Sequence, residues 1–220
     1  MNDNVKIFIV EDHPIFRMGL IELINLENDM KVCGEAEDVA EAKKKINALK
    51  PDLVVLDLLL QNSNGLDLIN DLRKDGSKIP ILVLSMHDEL LHAQRCIFAG
   101  ANGYIMKQEA SSSVVGAIRN ILAGNIHVSD KIITQIMYQA RRGSGSLRQS
   151  PVGGLTDREL EVFQLIGKGM TPGDIARRLN LSVKTIGTHK ENIKEKMGIK
   201  HGSELVRFAV LWTERVLPKN

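Results

Sequence analysis

Cysteine is scarce in this chain, and no apolar run approaches the ~20 residues that a membrane span requires. Cys33 and Cys96 stand alone, with neither a CxxC pair nor Cys/His metal spacing, so buried reduced thiols are expected in place of a disulfide or zinc site. The N-terminal stretch carries Asp3, Glu11 and Asp12 and is unlike a signal peptide, which makes the cytoplasm the default location and argues against a membrane partner. No P-loop pattern occurs, so nucleotide binding has no support and any phosphate has to come from a partner.

What is present divides in two. A length of 220 residues fits two domains, at roughly 100 to 200 residues each. The net charge of +2 conceals an asymmetry: residues 1–128 carry 13 Lys and Arg against 18 Asp and Glu, whereas residues 129–220 carry 16 against 9. The basic half is thereby a candidate for nucleic acid, although solvated charge alone also produces such a split.

In the acidic half, strand-like runs at Val5 to Val10, Met30 to Cys33, Leu53 to Leu56, Ile79 to Leu84 and Gly103 to Met106 alternate with segments of helical spacing. These are Ile15 to Leu26, Val39 to Leu49, Leu66 to Leu72, Leu90 to Ala99 and Val114 to Leu122. The alternation predicts an α/β fold, a doubly wound five-stranded parallel sheet with all strand ends on one rim. Polar residues follow four of the strands: Glu11-Asp12, Asp57, Ser85 and Lys107. Asp57 by itself is equally well explained as a turn cap. Three acids brought together need a cation, and a hard divalent metal with oxygen ligands is the natural partner. Lys107 and Ser85 supply a point charge and a hydroxyl suited to phosphoryl oxygens, so the rim reads as Mg2+ plus phosphate with a carboxylate nucleophile.

The set Glu11-Asp12, Asp57, Ser85 and Lys107, with Tyr104 in the run GANGYIMK, resembles the receiver domain of bacterial two-component response regulators, a flavodoxin-like fold. The resemblance implies that Asp57 accepts a phosphoryl group from the phosphohistidine of a sensor histidine kinase. It further implies that Asp12, Asp57 and the main-chain carbonyl of Leu59 bind Mg2+, with Glu11 holding a metal-bound water. Lys107 is then expected to pair with the phosphoryl oxygens, Ser85 to hydrogen-bond one of them, and Tyr104 to change rotamer as Ser85 moves inward. Tyr104 read alone is a half-buried strand aromatic with its hydroxyl in water. His13 reads as helix-entrance packing, and Gly100 and Gly103 as turn residues around the fifth strand.

Ser129 is expected to cap a short helix through Ala140, with Ile132, Ile133, Ile136 and Met137 on one face. The run RRGSGSLRQSPVGG, Arg141 to Gly154, then reads as a flexible tether, giving a receiver over 1–128, a linker over 129–154 and a second domain over 155–220. Thr156-Asp157-Arg158-Glu159 is a capping box opening a helix whose expected buried side is Leu160, Val162, Phe163 and Ile166; Gly169 stops it. Thr171-Pro172 starts a second helix through Leu179, and Ser182 caps a third, Val183 to Met197. On a helical wheel Ile186, Ile193 and Met197 share the core face, while Lys184, Gly187, Thr188 and Glu191 lie opposite, with Glu195 behind them. Thr185, Asn192 and Lys196 flank one edge, and Lys190 and Lys194 the other. A small polar front with basic shoulders suits a recognition helix in the major groove.

The run LTDRELEVFQLIGKGMTPGDIARRLNLSVKTIGTHKENIKEKMGI resembles the LuxR-type helix-turn-helix, and with the receiver it places the chain in resemblance to the NarL/FixJ response regulators. This implies an all-α DNA-binding domain in which Gly187, Thr188 and Glu191 face base edges, while Thr185, Lys190 and Lys194 lie near the backbone. Lys184 and Asn192 complete the expected DNA-contact set. The implied protein is a transcription regulator, not an enzyme beyond slow self-hydrolysis of its aspartyl phosphate. It binds promoter DNA as a homodimer assisted by the final helix, Ser203 to Trp212. Two departures stand out: glycine at 187 costs a helix roughly 1 kcal/mol relative to alanine, and Glu191 stands where basic or neutral readers are common, suggesting a cytosine preference. The flexible tether and opposite charges suggest that the receiver covers the recognition helix before phosphorylation. Competing readings are a Mg2+-dependent phosphoryl-transfer enzyme using Asp57 as nucleophile, and a binding module with a vestigial acidic site.

Overall fold

The apolar runs of the acidic half form β1 (Val5–Val10), β2 (Met30–Ala36), β3 (Leu53–Asp57), β4 (Ile81–Ser85) and β5 (Gly103–Met106). In this computed structural model, which describes residues 4–60, 63–86, 89–134, 152 and 154–216, all five strands pair in parallel in the order β2-β1-β3-β4-β5. The helices between them are α1 (Pro14–Asn25), α2 (Val39–Leu49), α3 (Gly65–Lys74), α4 (Glu89–Ala99) and α5 (Ala110–Leu122). The chain divides into two compact units, Met1–Ser144 and Gly145–Asn220.

The strands read as continuous apolar runs because both faces of the sheet are covered. Phe8, Val10, Val54, Leu56, Ile81 and Val83 point into one core with residues of α2, α3 and α4. Their neighbours Ile7, Ile9, Leu53, Val55, Leu82 and Leu84 point into the other, with α1 and α5. The period of two along each strand thus sorts side chains between two cores. Both outer ladders also find partners. Along β2, Asn25 Oδ1 accepts from the Val32 amide at 2.9 Å and Lys45 Nζ donates to the Glu35 carbonyl at 2.9 Å. Beside β5, the Tyr104 amide donates to the His127 carbonyl at 2.8 Å and the His127 amide to the Asn102 carbonyl at 2.9 Å.

Several boundaries differ from the sequence-based expectation. β2 continues to Ala36 because its later residues still pair with Phe8, Ile9 and Val10 across an irregularity in register. β4 starts at Ile81 because Pro80 has no amide to offer, although its carbonyl accepts from Val54 at 2.9 Å. Asp57 and Ser85 are the last residues of their strands and not the first after them. Gly100 does make a turn, at φ 108°, but Gly103 lies within β5. A Cβ at Gly103 would come within 2.9 Å of the His127 carbonyl and 2.7 Å of Ile121, so the need there is for space. The helix expected after Ser129 is present over residues 130–134, with Ile132 buried and Ile133 exposed. Its continuation, including Ile136 and Met137, and most of the expected tether lie outside the described residues.

The second unit consists of α6 (Asp157–Gly167), α7 (Pro172–Arg178), α8 (Val183–Met197) and α9 (Gly202–Val216). Each of the expected N-caps of the first three is made: Thr156, Thr171 and Ser182 accept from the amide three residues on. Gly169, at φ 79°, ends α6. The expected one-sided burial of α6 is too modest, since all its residues from Glu159 to Ile166 are buried. The helix packs against α7, α8 and α9 together, and its acids have partners: Glu159 pairs with Lys196 and Glu161 with Arg158, each at 2.7 Å. Phe163 meets Trp212 edge to face at 5.7 Å, and Gly167 leaves no room for a methyl group beside Ala209 and Thr213.

Candidate functional site

In the strand order β2-β1-β3-β4-β5, the chain leaves β1 in one direction and reaches β3 in the other, which opens a crevice above their carboxyl ends. Glu11 and Asp12 follow β1 and Asp57 closes β3, so the three carboxylates meet there. Together with His13 they bring one ligand-type atom each within 4.8 Å of one another. Lys107, the first residue of a 3-10 turn after β5, reaches across from the opposite side of the sheet. Its Nζ lies 2.8 Å from Asp57 Oδ2 and 2.7 Å from Glu11 Oε2, with the Phe16 ring centroid 4.7 Å away. Ser85 ends β4 on the same rim and is buried. The strand ends therefore gather Glu11, Asp12, Asp57, Ser85 and Lys107 as the spacing predicts.

Asp57 is almost wholly buried, and its Oδ1 accepts from the Leu59 amide at 3.2 Å. Burial pushes its carboxyl up to about 6, against the opposing pull of Lys107, and the Glu11 charge adds to the rise. An oxygen-rich, partly desolvated and net negative pocket fits a hard divalent cation, which offsets the repulsion among the acids. The described residues just beyond Asp57 and just before α3 lie against one another. Leu59 and Asn64 form an isolated bridge, the Gly65 amide donates to the Leu58 carbonyl at 2.8 Å, and Asn64 Oδ1 caps α3 by accepting from Leu66 at 2.9 Å. A Cβ at Gly65 would stand 2.5 Å from the Asp57 carbonyl oxygen.

Tyr104 is fully buried in the core shared by Phe8, Val83 and Ile132, not half-buried with a wet hydroxyl. His13 and Phe16 are the residues that the sequence reading missed. His13 heads α1, and its Nδ1 lies 2.8 Å from Asp12 Oδ1 and 3.0 Å from Glu11 Oε1. The signal was Pro14, which biases the residue before it towards extended backbone and so turns His13 back over the acid pair.

In the second unit α8 sorts its faces largely as the wheel predicts, although Met197 on the expected core face is only half-buried. Ile186 and Ile193 are buried, whereas Lys184, Gly187, Thr188, Glu191 and Asn192 are exposed and Thr185, Lys190 and Lys194 partly so. Two basic residues are already engaged: Lys194 pairs with Glu191 and Lys196 with Glu159, each at 2.7 Å. Gly187 has open space around it, so no contact within its own unit requires glycine there. His189 is half-packed, and burial holds its imidazole below the ordinary histidine range.

Residues 7–119 match the family described as the response regulator receiver domain, and residues 154–209 match the bacterial regulatory proteins of the luxR family. The oxygen regulatory protein NreC of Staphylococcus epidermidis is 33% identical over 211 residues, covering 94% of this chain and 97% of that protein. The DNA-binding transcriptional activator DevR/DosR of Mycobacterium tuberculosis is 31% identical over 205 residues, 93% of this chain and 94% of its own. A crystal structure of a LuxR-family two-component response regulator from Aurantimonas sp. SI85-9A1 superposes with a TM-score of 0.58 at 33% identity, over 63% of this chain and 99% of that one. With a receiver-type α/β unit carrying the acid rim and a luxR-type helical unit after it, the chain belongs to the DNA-binding transcriptional response regulators of two-component systems.

Proposed function

We propose that Asp57 is the phosphoryl acceptor of this regulator and that its modification by a sensor histidine kinase controls binding of the second unit to promoter DNA. The observation that carries this reading is the buried Asp57 carboxylate, held at 2.8 Å by Lys107 Nζ beside Glu11 and Asp12. Asp12, Asp57 and the Leu59 carbonyl are the ligands we assign to Mg2+, with Glu11 acting through a water. When bound, Mg2+ neutralises charge that builds on the phosphoryl oxygens. An Asp57 oxygen attacks phosphorus, the P–N bond of the phosphohistidine breaks, and the imidazole leaves with the bonding pair and gains a proton. Lys107 then follows the new phosphoryl oxygens, and the Ser85 hydroxyl donates to one of them. Tyr104, buried in the core beside Val83, is the side chain we assign to carry that shift of Ser85 into the core. Water attack on phosphorus later breaks the Asp57 O–P bond, releasing inorganic phosphate and restoring the carboxylate.

On α8, Lys184, Gly187, Thr188 and Glu191 form the base-reading front, and Thr185, Lys190, Asn192 and Lys194 the phosphate-contacting flanks. Glu191 is assigned to cytosine N4, which requires that Lys194 release it or turn to a phosphate on the DNA. Val206, Phe208 and Leu211 on α9 stay exposed, which supports a homodimer on DNA. A regulator working on promoter DNA is placed in the cytoplasm, and among the described residues no helix is long and apolar enough to cross a membrane.

The test is intact mass after incubation with acetyl phosphate and Mg2+, followed by DNA binding to operators selected from random duplexes. The wild type is expected to gain one phosphoryl group and to bind more tightly with it, while Asp57→Ala and EDTA-treated protein gain neither. An adduct that persists in Asp57→Ala, or equal affinity with and without donor, would overturn the proposal.

A further inference from the structure

Arg17 belongs to α1 but acts on the end of β1. Helix side chains lean back towards the start of their helix, and the Arg17 amide already bonds the His13 carbonyl at 2.9 Å in the first turn. The guanidinium thereby reaches the Glu11 carbonyl, to which Nη1 donates at 2.6 Å. That carbonyl belongs to the peptide joining Glu11 to Asp12. The Glu11 amide is taken by the Ala36 carbonyl at 3.0 Å, and β2 ends there, so Arg17 takes over where the ladder stops. The guanidinium is held in turn from its other side: Nη2 lies 2.8 Å from Glu37 Oε1 and Nε 3.3 Å from Glu35 Oε2. Its side chain is only 12% exposed. A planar fork with donors in fixed directions can engage a carbonyl and two carboxylates at once, which a lysine ammonium on a flexible stem does less rigidly.

We infer that Arg17 is a positioning residue for the cation site: it holds the Glu11-Asp12 peptide in one orientation and so keeps both carboxylates gathered with Asp57. The inference rests on the assignment of Glu11, Asp12 and Asp57 to Mg2+ in the preceding section. Three acids within one pocket repel one another, which favours swinging the Glu11-Asp12 pair outward. Arg17 opposes that swing through the backbone carbonyl, and a hydrogen bond from a charged donor resists it better than a neutral one.

Calorimetric titration of the full chain with Mg2+ tests it, on Arg17→Ala, on Arg17→Met, which keeps the packing of the stem, and on Arg17→Lys, which keeps a charged donor. The first two are expected to bind Mg2+ about tenfold or more weakly, and the lysine variant to recover to within about threefold of the wild type. Removing a positive charge near a cation site would by itself strengthen cation binding, so the sign of the change separates positioning from bulk electrostatics. In the metal-free protein the nitrogen-15 shift of the Asp12 amide, the other half of the same peptide, is expected to move in the alanine and methionine variants and far less in the lysine one. A role confined to stability would lower the melting temperature in EDTA and leave both readouts where they are. Wild-type Mg2+ affinity, or an unmoved Asp12 amide, in whichever of Arg17→Ala and Arg17→Met folds would overturn the inference. Absence of Mg2+ binding by the wild type would overturn the Mg2+ assignment as well.

Discussion

Asp57 concentrates the conflict between stability and chemistry at a single residue. Its carboxyl is raised to about 6 from an ordinary value of 3.8, chiefly by burial, so the native state holds its proton more tightly than the unfolded chain does. The stability this contributes is full below pH 3.8 and is lost as pH rises through 6. A shift of this size corresponds to something on the order of 3 kcal/mol at most. Thermal unfolding is therefore expected to show the wild type losing stability relative to Asp57→Asn between pH 5 and pH 8, with Mg2+ restoring much of it at pH 8 but little at pH 5. Parallel curves for the two proteins would contradict the electrostatic picture of the rim. Gly187 poses the opposite case, because its surroundings ask for nothing. Gly187→Ala is expected to raise the stability of the second unit by about 1 kcal/mol. If the missing methyl serves a close approach to DNA, operator affinity measured by fluorescence anisotropy falls by about tenfold, or roughly 1.4 kcal/mol; unchanged affinity would assign the glycine no role in recognition.

The tight β3–α3 connection shows how an element positions a site. Gly65 packs so closely beneath the Asp57 carbonyl that a Cβ would lie 2.5 Å from it and 3.0 Å from Leu58 Cα. Neither contact is a flexible side-chain tip. Gly65→Ala is expected to cost about 1–3 kcal/mol of stability and to weaken Mg2+ binding by displacing the loop that carries Leu59, read by unfolding and by calorimetry; wild-type values for both would show that the loop has slack. The strands, their parallel pairing and the polar residues at the ends of four of them were legible in the sequence, because apolar runs and strand-end polar residues are local signals. The caps of α6, α7 and α8 were legible for the same reason. What was not legible depends on distant neighbours. Gly103 looked like a turn residue, yet His127 and Ile121 exclude its side chain. α6 looked amphipathic, yet three helices surround it. His13 looked like packing, yet Pro14 and the carboxyl ends of the strands place it among the acids.

For the molecule as a whole, each compact unit has its own buried core, so each is expected to keep its chemistry when expressed separately. Residues 1–144 alone should take one phosphoryl group from acetyl phosphate, and residues 145–220 alone should bind operator DNA with an affinity that the donor does not alter. Intact mass and anisotropy on the two fragments check this. Loss of phosphorylation in the first fragment would mean that the acid rim needs the second unit to form. The charge division suits this separation of labour, with anionic chemistry in the acidic unit and a polyanion for the basic one. The groups that cover the two margins of the sheet have a consequence for self-association. Asn25 and Lys45 occupy one amide and one carbonyl of β2, and the His127 segment pairs with Tyr104 and Asn102 at β5, so each margin is partly covered against strand addition. That partial cover disfavours continuous cross-chain sheets, the kind of association that would lock copies crowded along a promoter together irreversibly.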